Sequence, residues 1–224
     1  MVSPSVDDQP SYDLGHQGDL DYTQIARMLA RTPEQRWRSY QRWRGLLKRN
    51  STMTPFLDEI VGCLARAQVE YVIVGGVAGI LQGSSLNTLD LDICYRRTPE
   101  NIKRLVTALQ PFRPHPRGWP PDLPFAFDAR TIQLGSNFTL DLNGEDLDLL
   151  GQMSAIGGYE EIIAQADEMT VAGCTVHVLS LEQLITTKEA AGRQKDLVAL
   201  PILRAALAMK RQAASPPQEP RRGG

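Results

Sequence analysis

The segment from residue 71 to residue 95 constrains this chain more than any other. Tyr71-Val72-Ile73-Val74 is a short apolar run rich in β-branched residues, as in a buried strand. It ends in Gly75-Gly76, and Val77 to Gln82 has the length of one short helix. Leu89 to Tyr95 then alternates, so a second strand is expected to carry Asp90, Asp92 and Cys94 on one face and Leu89, Leu91 and Ile93 on the other. Positions i and i+2 of a strand have Cα atoms about 6.5 Å apart, which lets both carboxylates lean towards ions between them. Hard divalent cations such as Mg²⁺ take carboxylate oxygens, and a two-metal centre needs ligands spanning ions roughly 4 Å apart. By spacing alone, a solvated edge strand bearing two acids is the other reading. Glycines between strand and helix leave amides open to phosphate oxygens, and Ser84, Ser85 and Thr88 add hydroxyls near the same mouth. A dinucleotide-binding turn is disfavoured, because Gly75-Gly76-Val77-Ala78-Gly79 does not match G-x-G-x-x-G and no long helix follows.

The rest of the chain frames this unit. With 224 residues, 42% of them hydrophobic, the sequence supports one core with appendages. Residues 1–20 form an acidic leader expected to be disordered, 21–50 a basic helical extension, 51–178 the core, 179–212 C-terminal helices and 213–224 a disordered tail. The net charge of −2 hides a segregation: Asp7, Asp8, Asp13, Asp19 and Asp21 come first, followed by Arg27, Arg31, Arg36, Arg38, Arg42, Arg44, Lys48 and Arg49. The basic stretch fits either contact with nucleic-acid phosphates or a solvated helix face. Cys63, Cys94 and Cys174, like His16, His115 and His177, are scattered, which argues against disulfides and zinc. The acidic start without an apolar run argues against secretion, and Val69 to Leu81 is too short to span a bilayer, so no membrane association is expected and a cytoplasmic location is.

Periodicity predicts two helices between Tyr22 and Lys48, the second starting at Pro33 with Thr32 as cap, and further helices starting at Thr54-Pro55 and Thr98-Pro99. Pro111 to Pro124 holds six prolines with His115, Arg117 and Trp119, and is expected to lack regular structure. Thr131 to Leu134, Phe138 to Leu142 and Asp146 to Leu150 are predicted strands, Tyr159 to Gln165 a helix, and Val171 to Val178 a hairpin around Gly173. Ser180 caps a helix running to Ala191; Gln194 to Leu200 continues helically and Pro201 opens the last helix. The fold class is therefore mixed α/β, with a short twisted sheet and flanking helices.

The run from Gly75-Gly76 through Thr88-Leu89-Asp90-Leu91-Asp92-Ile93 resembles the signature of the DNA polymerase β-like nucleotidyltransferase superfamily. Leu147-Asp148-Leu149-Leu150-Gly151 looks like the strand that brings that family's third carboxylate. Within the superfamily the sequence is similar to the AbiEii-type nucleotidyltransferases of toxin–antitoxin systems, through Ser180-Leu181-Glu182, Lys188 and Ala191-Gly192-Arg193-Gln194-Lys195-Asp196. The likeness covers about residues 54–205. It implies that Asp90, Asp92 and Asp148 bind Mg²⁺ or Mn²⁺, that Asp148 lies near the acceptor hydroxyl, and that Lys188 and Arg193 meet the triphosphate of an NTP near Gly75, Gly76 and Thr88. It further implies nucleotidyl transfer to an RNA acceptor, the 3′ end of tRNA, in a growth-inhibiting toxin with a cognate antitoxin. Two positions depart from the pattern: Leu86 stands where relatives often carry Arg, and Gly76 where many carry Ser. Asp146 shares a strand face with Asp148 and competes for the third role. Transfer to a small molecule or a protein, and a non-catalytic binding or antitoxin role, are the alternatives.

Overall fold

The computed structural model describes residues 20–47, 56–120 and 123–214, so residues 1–19 of the predicted leader, residues 215–224 of the predicted tail and the Thr54-Pro55 helix start lie outside the described residues. Helix α1 (Tyr22–Leu29) and α2 (Pro33–Leu47) come first. Thr32 and Gln35 cap each other between them: the Gln35 amide donates to the Thr32 hydroxyl at 3.2 Å and the Thr32 amide to Gln35 Oε1 at 2.9 Å.

The basic face of α2 is divided. Arg36 and Arg44 are 8% and 6% exposed and hold the helix to the body. Arg36 donates from Nε to the Met28 carbonyl at 2.8 Å and reaches the Leu29 and Leu81 carbonyls as well. Arg44 pairs with Glu145 and donates to the Leu89 carbonyl at 2.9 Å. A buried guanidinium requires such partners, so these two arginines are structural. Arg27, Arg31, Arg38 and Arg42 stay exposed.

The remaining elements are α3 (Phe56–Arg66), β1 (Tyr71–Val74), α4 (Gly75–Leu81), β2 (Leu91–Tyr95), α5 (Pro99–Leu109) and β3 (His115–Pro116). They continue with α6 (Ala129–Leu134), β4 (Asn137–Asp141), β5 (Asp146–Leu150), α7 (Tyr159–Ile163), β6 (Ala166–Val171), β7 (Cys174–Leu179), α8 (Leu181–Ala191) and α9 (Gln194–Ala214). One mixed sheet runs β3-β4-β5-β2-β1-β7-β6. Its centre, β5-β2-β1-β7, alternates parallel and antiparallel pairs, which brings the C-terminal ends of β1 and β7 to one edge and the start of β2 beside the start of β5. Val72, Ile73, Val74, Ile93, Leu147 and Leu149 are fully buried in it. Buried Asn101 joins β1 to β2, donating to the Glu70 and Arg96 carbonyls at 2.9 and 2.8 Å and accepting from the Glu70 amide at 2.7 Å.

Four expectations are corrected. Thr131–Leu134 forms the last four of the six residues of helix α6, not a strand, because Asp128 caps it by accepting from the Thr131 amide at 2.7 Å. The proline-rich stretch contains a 3₁₀ turn (Gln110–Phe112) and strand β3, which pairs with the edge of β4 where proline needs no ladder donor. β2 starts at Leu91, leaving Asp90 just ahead of the strand. Pro201 lies inside α9, where it cannot donate to the Leu197 carbonyl four residues earlier, and Leu197 is on the exposed side of the helix. Among the described residues no helix is long and apolar enough to cross a membrane.

Candidate active site

Two carboxylates are set side by side by strand register. β2 and β5 are parallel neighbours, with Asp92 opposite Asp148. Adjacent strands lie about 4.8 Å apart, so the two side chains rise from the same face of the sheet. Asp90 precedes β2 on one side of this pair, and Asp146, two residues before Asp148, shares its face.

The clustering is electrostatically costly. The Asp92 carboxyl is pushed up to about 7, first by burial and then by the charges of Asp148 and Asp90; Lys195 and a hydrogen bond from the Gly76 amide act in the opposite sense. Asp148 is also raised by burial, with Asp90 and Asp146 adding to the shift and Arg117 opposing it. Gly75 explains how Asp92 fits: it adopts φ +63°, and a Cβ there would stand 2.0 Å from Asp92 Oδ2. The glycine pair thus seats the carboxylate, and the Gly76 amide is already engaged by it. Thr88 packs against Gly76, where a Cβ would come within 2.7 Å of the Thr88 Cβ.

A cleft of about 510 Å³ opens over the acids, and its opposite wall is cationic. Lys188 on α8 and Arg193, Lys195 and Asp196 around the α8–α9 junction line it, together with Gly75, Gly76 and Thr88. Gly192 caps α8 in the left-handed conformation, φ +58°, and turns the chain so that both helices present side chains to one cleft. Asp196, 2% exposed, accepts from Lys188 Nζ at 2.9 Å and from Arg193 Nε at 3.0 Å. Burial would raise its pKa, but those two cations together hold its carboxyl below the ordinary value. Lys188 is therefore fixed in place by a carboxylate, while exposed Arg193 and Lys195 extend the positive wall.

Arg117 is the residue whose role the sequence did not reveal. It follows β3 and lies across the acidic mouth, with Nη2 2.8 Å from Asp148 Oδ1, Nε 3.0 Å from Asp146 Oδ1 and Nη1 3.9 Å from Asp90 Oδ2. Among the described residues no three His, Cys, Asp or Glu side chains converge closely enough to hold an ion as they stand. The donor chemistry nevertheless suits a hard divalent cation: carboxylate oxygens line one mouth, their mutual repulsion calls for positive charge, and the Arg117 guanidinium and, at Asp92, Lys195 supply part of it here.

No family model matches the chain, and no curated protein does. Among solved structures the chain path is similar to ANT(2″)-Ia in complex with adenylyl-2″-tobramycin, at 15% identity and TM-score 0.47, over 73% of this chain and 94% of that one. A solution structure of ANT(2″)-Ia is similar at 15% identity and TM-score 0.44, over 70% and 91%. TM1012 from Thermotoga maritima, assigned as a nucleotidyltransferase, is similar at 16% identity and TM-score 0.42, over 71% and 91%. These are distant likenesses in chain path, and the chemistry of this cleft rests on its own residues.

Proposed function

We propose that the chain is a metal-dependent nucleotidyltransferase that moves a nucleoside monophosphate from an NTP to an acceptor hydroxyl. The observation that carries this reading is the Asp92–Asp148 pair in strand register beside Asp90, facing a wall of Lys188, Arg193 and Lys195 across one cleft. Carboxylates on one side and cations on the other suit a metal-bound triphosphate better than either component alone.

Asp90, Asp92 and Asp148 would hold the divalent cation, Mg²⁺ or Mn²⁺, after Arg117 moves off Asp148. The bound cation supplies charge that stabilises the nucleophile and the phosphoryl oxygens. Lys188, kept in place by Asp196, and exposed Arg193 and Lys195 bind the β- and γ-phosphates and so orient the α-phosphorus towards Asp148. Thr88 offers its hydroxyl on the glycine side. Asp148 takes the proton of the acceptor hydroxyl; the new bond joins that oxygen to the α-phosphorus, and the bond from the α-phosphorus to its bridging oxygen breaks to release pyrophosphate.

The acceptor is RNA in this reading, the 3′ end of tRNA, and the chain is a toxin of the AbiEii type with a cognate antitoxin in the cytoplasm. Exposed Arg27, Arg31, Arg38 and Arg42 favour a polyanionic acceptor. The purified chain is incubated with total tRNA, Mg²⁺ and each α-labelled NTP in turn, beside an Asp90→Ala, Asp92→Ala variant. Label on tRNA from the intact chain alone supports the full reading. Pyrophosphate release with an aminoglycoside or an added protein, but not with RNA, redirects it to another acceptor. No pyrophosphate with any acceptor from a folded protein sinks it.

A further inference from the structure

A second, smaller cavity of about 160 Å³ lies between α1, α2 and the segment following α4. It adjoins the carboxylate cleft, since Ser85, Leu86 and Asn87 line both. We propose that this cavity is a nucleobase subsite built by the N-terminal helices, an inference that rests on the nucleotidyltransferase reading of the adjoining cleft.

Its wall has the composition that a flat heteroaromatic ring requires. Tyr40 and Trp43 are stacked, with ring centroids 6.4 Å apart and planes 27° from parallel. Trp43 is half-buried and so still offers ring surface, while Met28 and Leu86 supply further apolar contact. Aromatic platforms of this kind bind bases by stacking, irrespective of base identity. Gln24 and Asn87 stand at the rim with amide groups that match the donors and acceptors of a base edge. Arg31 reaches the same rim through Ser39, donating to its hydroxyl at 3.2 Å.

Tyr40, a lining residue of this cavity, also carries an unsatisfied polar atom. It is 4% exposed, yet its hydroxyl has no hydrogen-bond partner among the described residues. A buried hydroxyl without a partner is destabilising unless a ligand or water completes it. Burial raises the pKa of this hydroxyl, and after burial the charges of Arg44 and Glu145 act on it ahead of those of Asp90 and Asp92. Leu86, the position where the resembled pattern carries Arg, lines both cavities and places an uncharged side chain where they adjoin. The base belongs either to the incoming NTP or to an RNA acceptor whose terminal hydroxyl reaches the cleft.

The test measures binding of each NTP, each nucleoside, inorganic triphosphate and a short single-stranded RNA to the full chain, to Trp43→Ala and to Ser39→Phe, by calorimetry with Mg²⁺. Ser39→Phe fills the cavity while leaving the helices' buried face intact. Losing one stacked base is expected to weaken base-bearing ligands by about 5- to 150-fold in both variants, with inorganic triphosphate unchanged. Weakening of NTPs alone assigns the base to the donor, and weakening of RNA alone assigns it to the acceptor. If Trp43→Ala fails to fold, Ser39→Phe decides. NTPs, nucleosides and RNA binding both variants as they bind the intact chain would overturn the proposal. Failure of inorganic triphosphate to bind the intact chain would instead count against the nucleotidyltransferase reading, with the nucleoside series still reporting on the subsite.

Discussion

Arg117→Met keeps an aliphatic stem and removes the guanidinium from Asp148, Asp146 and Asp90. The two short contacts, 2.8 and 3.0 Å, are charge-assisted hydrogen bonds. The Arg117 side chain is 34% exposed and that of Asp148 18%, so solvent screens the pairs. An exposed ion pair contributes up to about 1 kcal/mol, which puts the two together at about 1–2 kcal/mol. A divalent ion that binds Asp148 must displace this arginine. The variant is therefore predicted to bind Mn²⁺ about 5- to 30-fold more tightly in the absence of nucleotide, since 1.4 kcal/mol is a factor of ten. Electron paramagnetic resonance of free Mn²⁺ at fixed ionic strength measures this, with circular dichroism to verify the fold. Without metal the variant is also predicted to melt at a lower temperature, because the acids lose their counter-charge, and Mg²⁺ restores it. Unchanged or weaker Mn²⁺ affinity in a folded variant would refute the view that Arg117 and the metal compete for one set of oxygens.

Lys188→Met leaves buried Asp196 with only the largely exposed Arg193 of its two hydrogen-bonded cations, and is expected to cost about 2–3 kcal/mol in urea unfolding; a loss within error of zero would show that Lys188 does not hold Asp196. The folded-state pKa of Asp92, about 7, exceeds that of an unfolded aspartate, so between roughly pH 4 and 7 the folded chain binds the extra proton. The contribution of Asp92 to metal-free stability should accordingly be fully present below the unfolded value and be lost as pH rises through 7; Asp92→Asn should flatten the slope of stability near pH 7, and an identical slope in the variant would assign it to other groups. Gly75→Ala forces Asp92 to move as well as straining the backbone, whereas Gly144→Ala, at φ +87° with open space, meets backbone strain of about 1–2 kcal/mol only. Gly75→Ala is predicted to lower Mn²⁺ affinity and Gly144→Ala to leave it unchanged, and equal behaviour of the two would contradict the seating role of Gly75.

What could be read in the sequence was local. The β-branched run of β1 and the Thr32 cap ahead of Pro33 carry their causes within a few residues, and each took the form that periodicity and capping predict. The nearness of Asp92 to Asp148 depends on strand register across more than fifty intervening residues, and only the resemblance brought them together before the structure did. Arg117 was hidden for the same reason, since a lone arginine among prolines carries no mark of the three acids it meets. Arg36 and Arg44 belonged to a charge run that spoke for a surface; their partners, the Leu81 carbonyl and Glu145, are distant in sequence. α6 was misread because four residues hold too little periodicity, and the deciding signal was the Asp128 cap upstream.

The central claim is that one cleft holds a metal-bound triphosphate between Asp90, Asp92 and Asp148 on one side and Lys188 on the other. The most direct measurement is a crystal structure of the full chain grown with Mn²⁺ and a non-hydrolysable NTP analogue, with Mn²⁺ located by its anomalous scattering. The account predicts an anomalous peak among the three carboxylates, Arg117 withdrawn from Asp148, and the β- and γ-phosphates towards Lys188 and Arg193. Mn²⁺ and nucleotide bound elsewhere, with Arg117 still on Asp148 and the cleft empty, would contradict it.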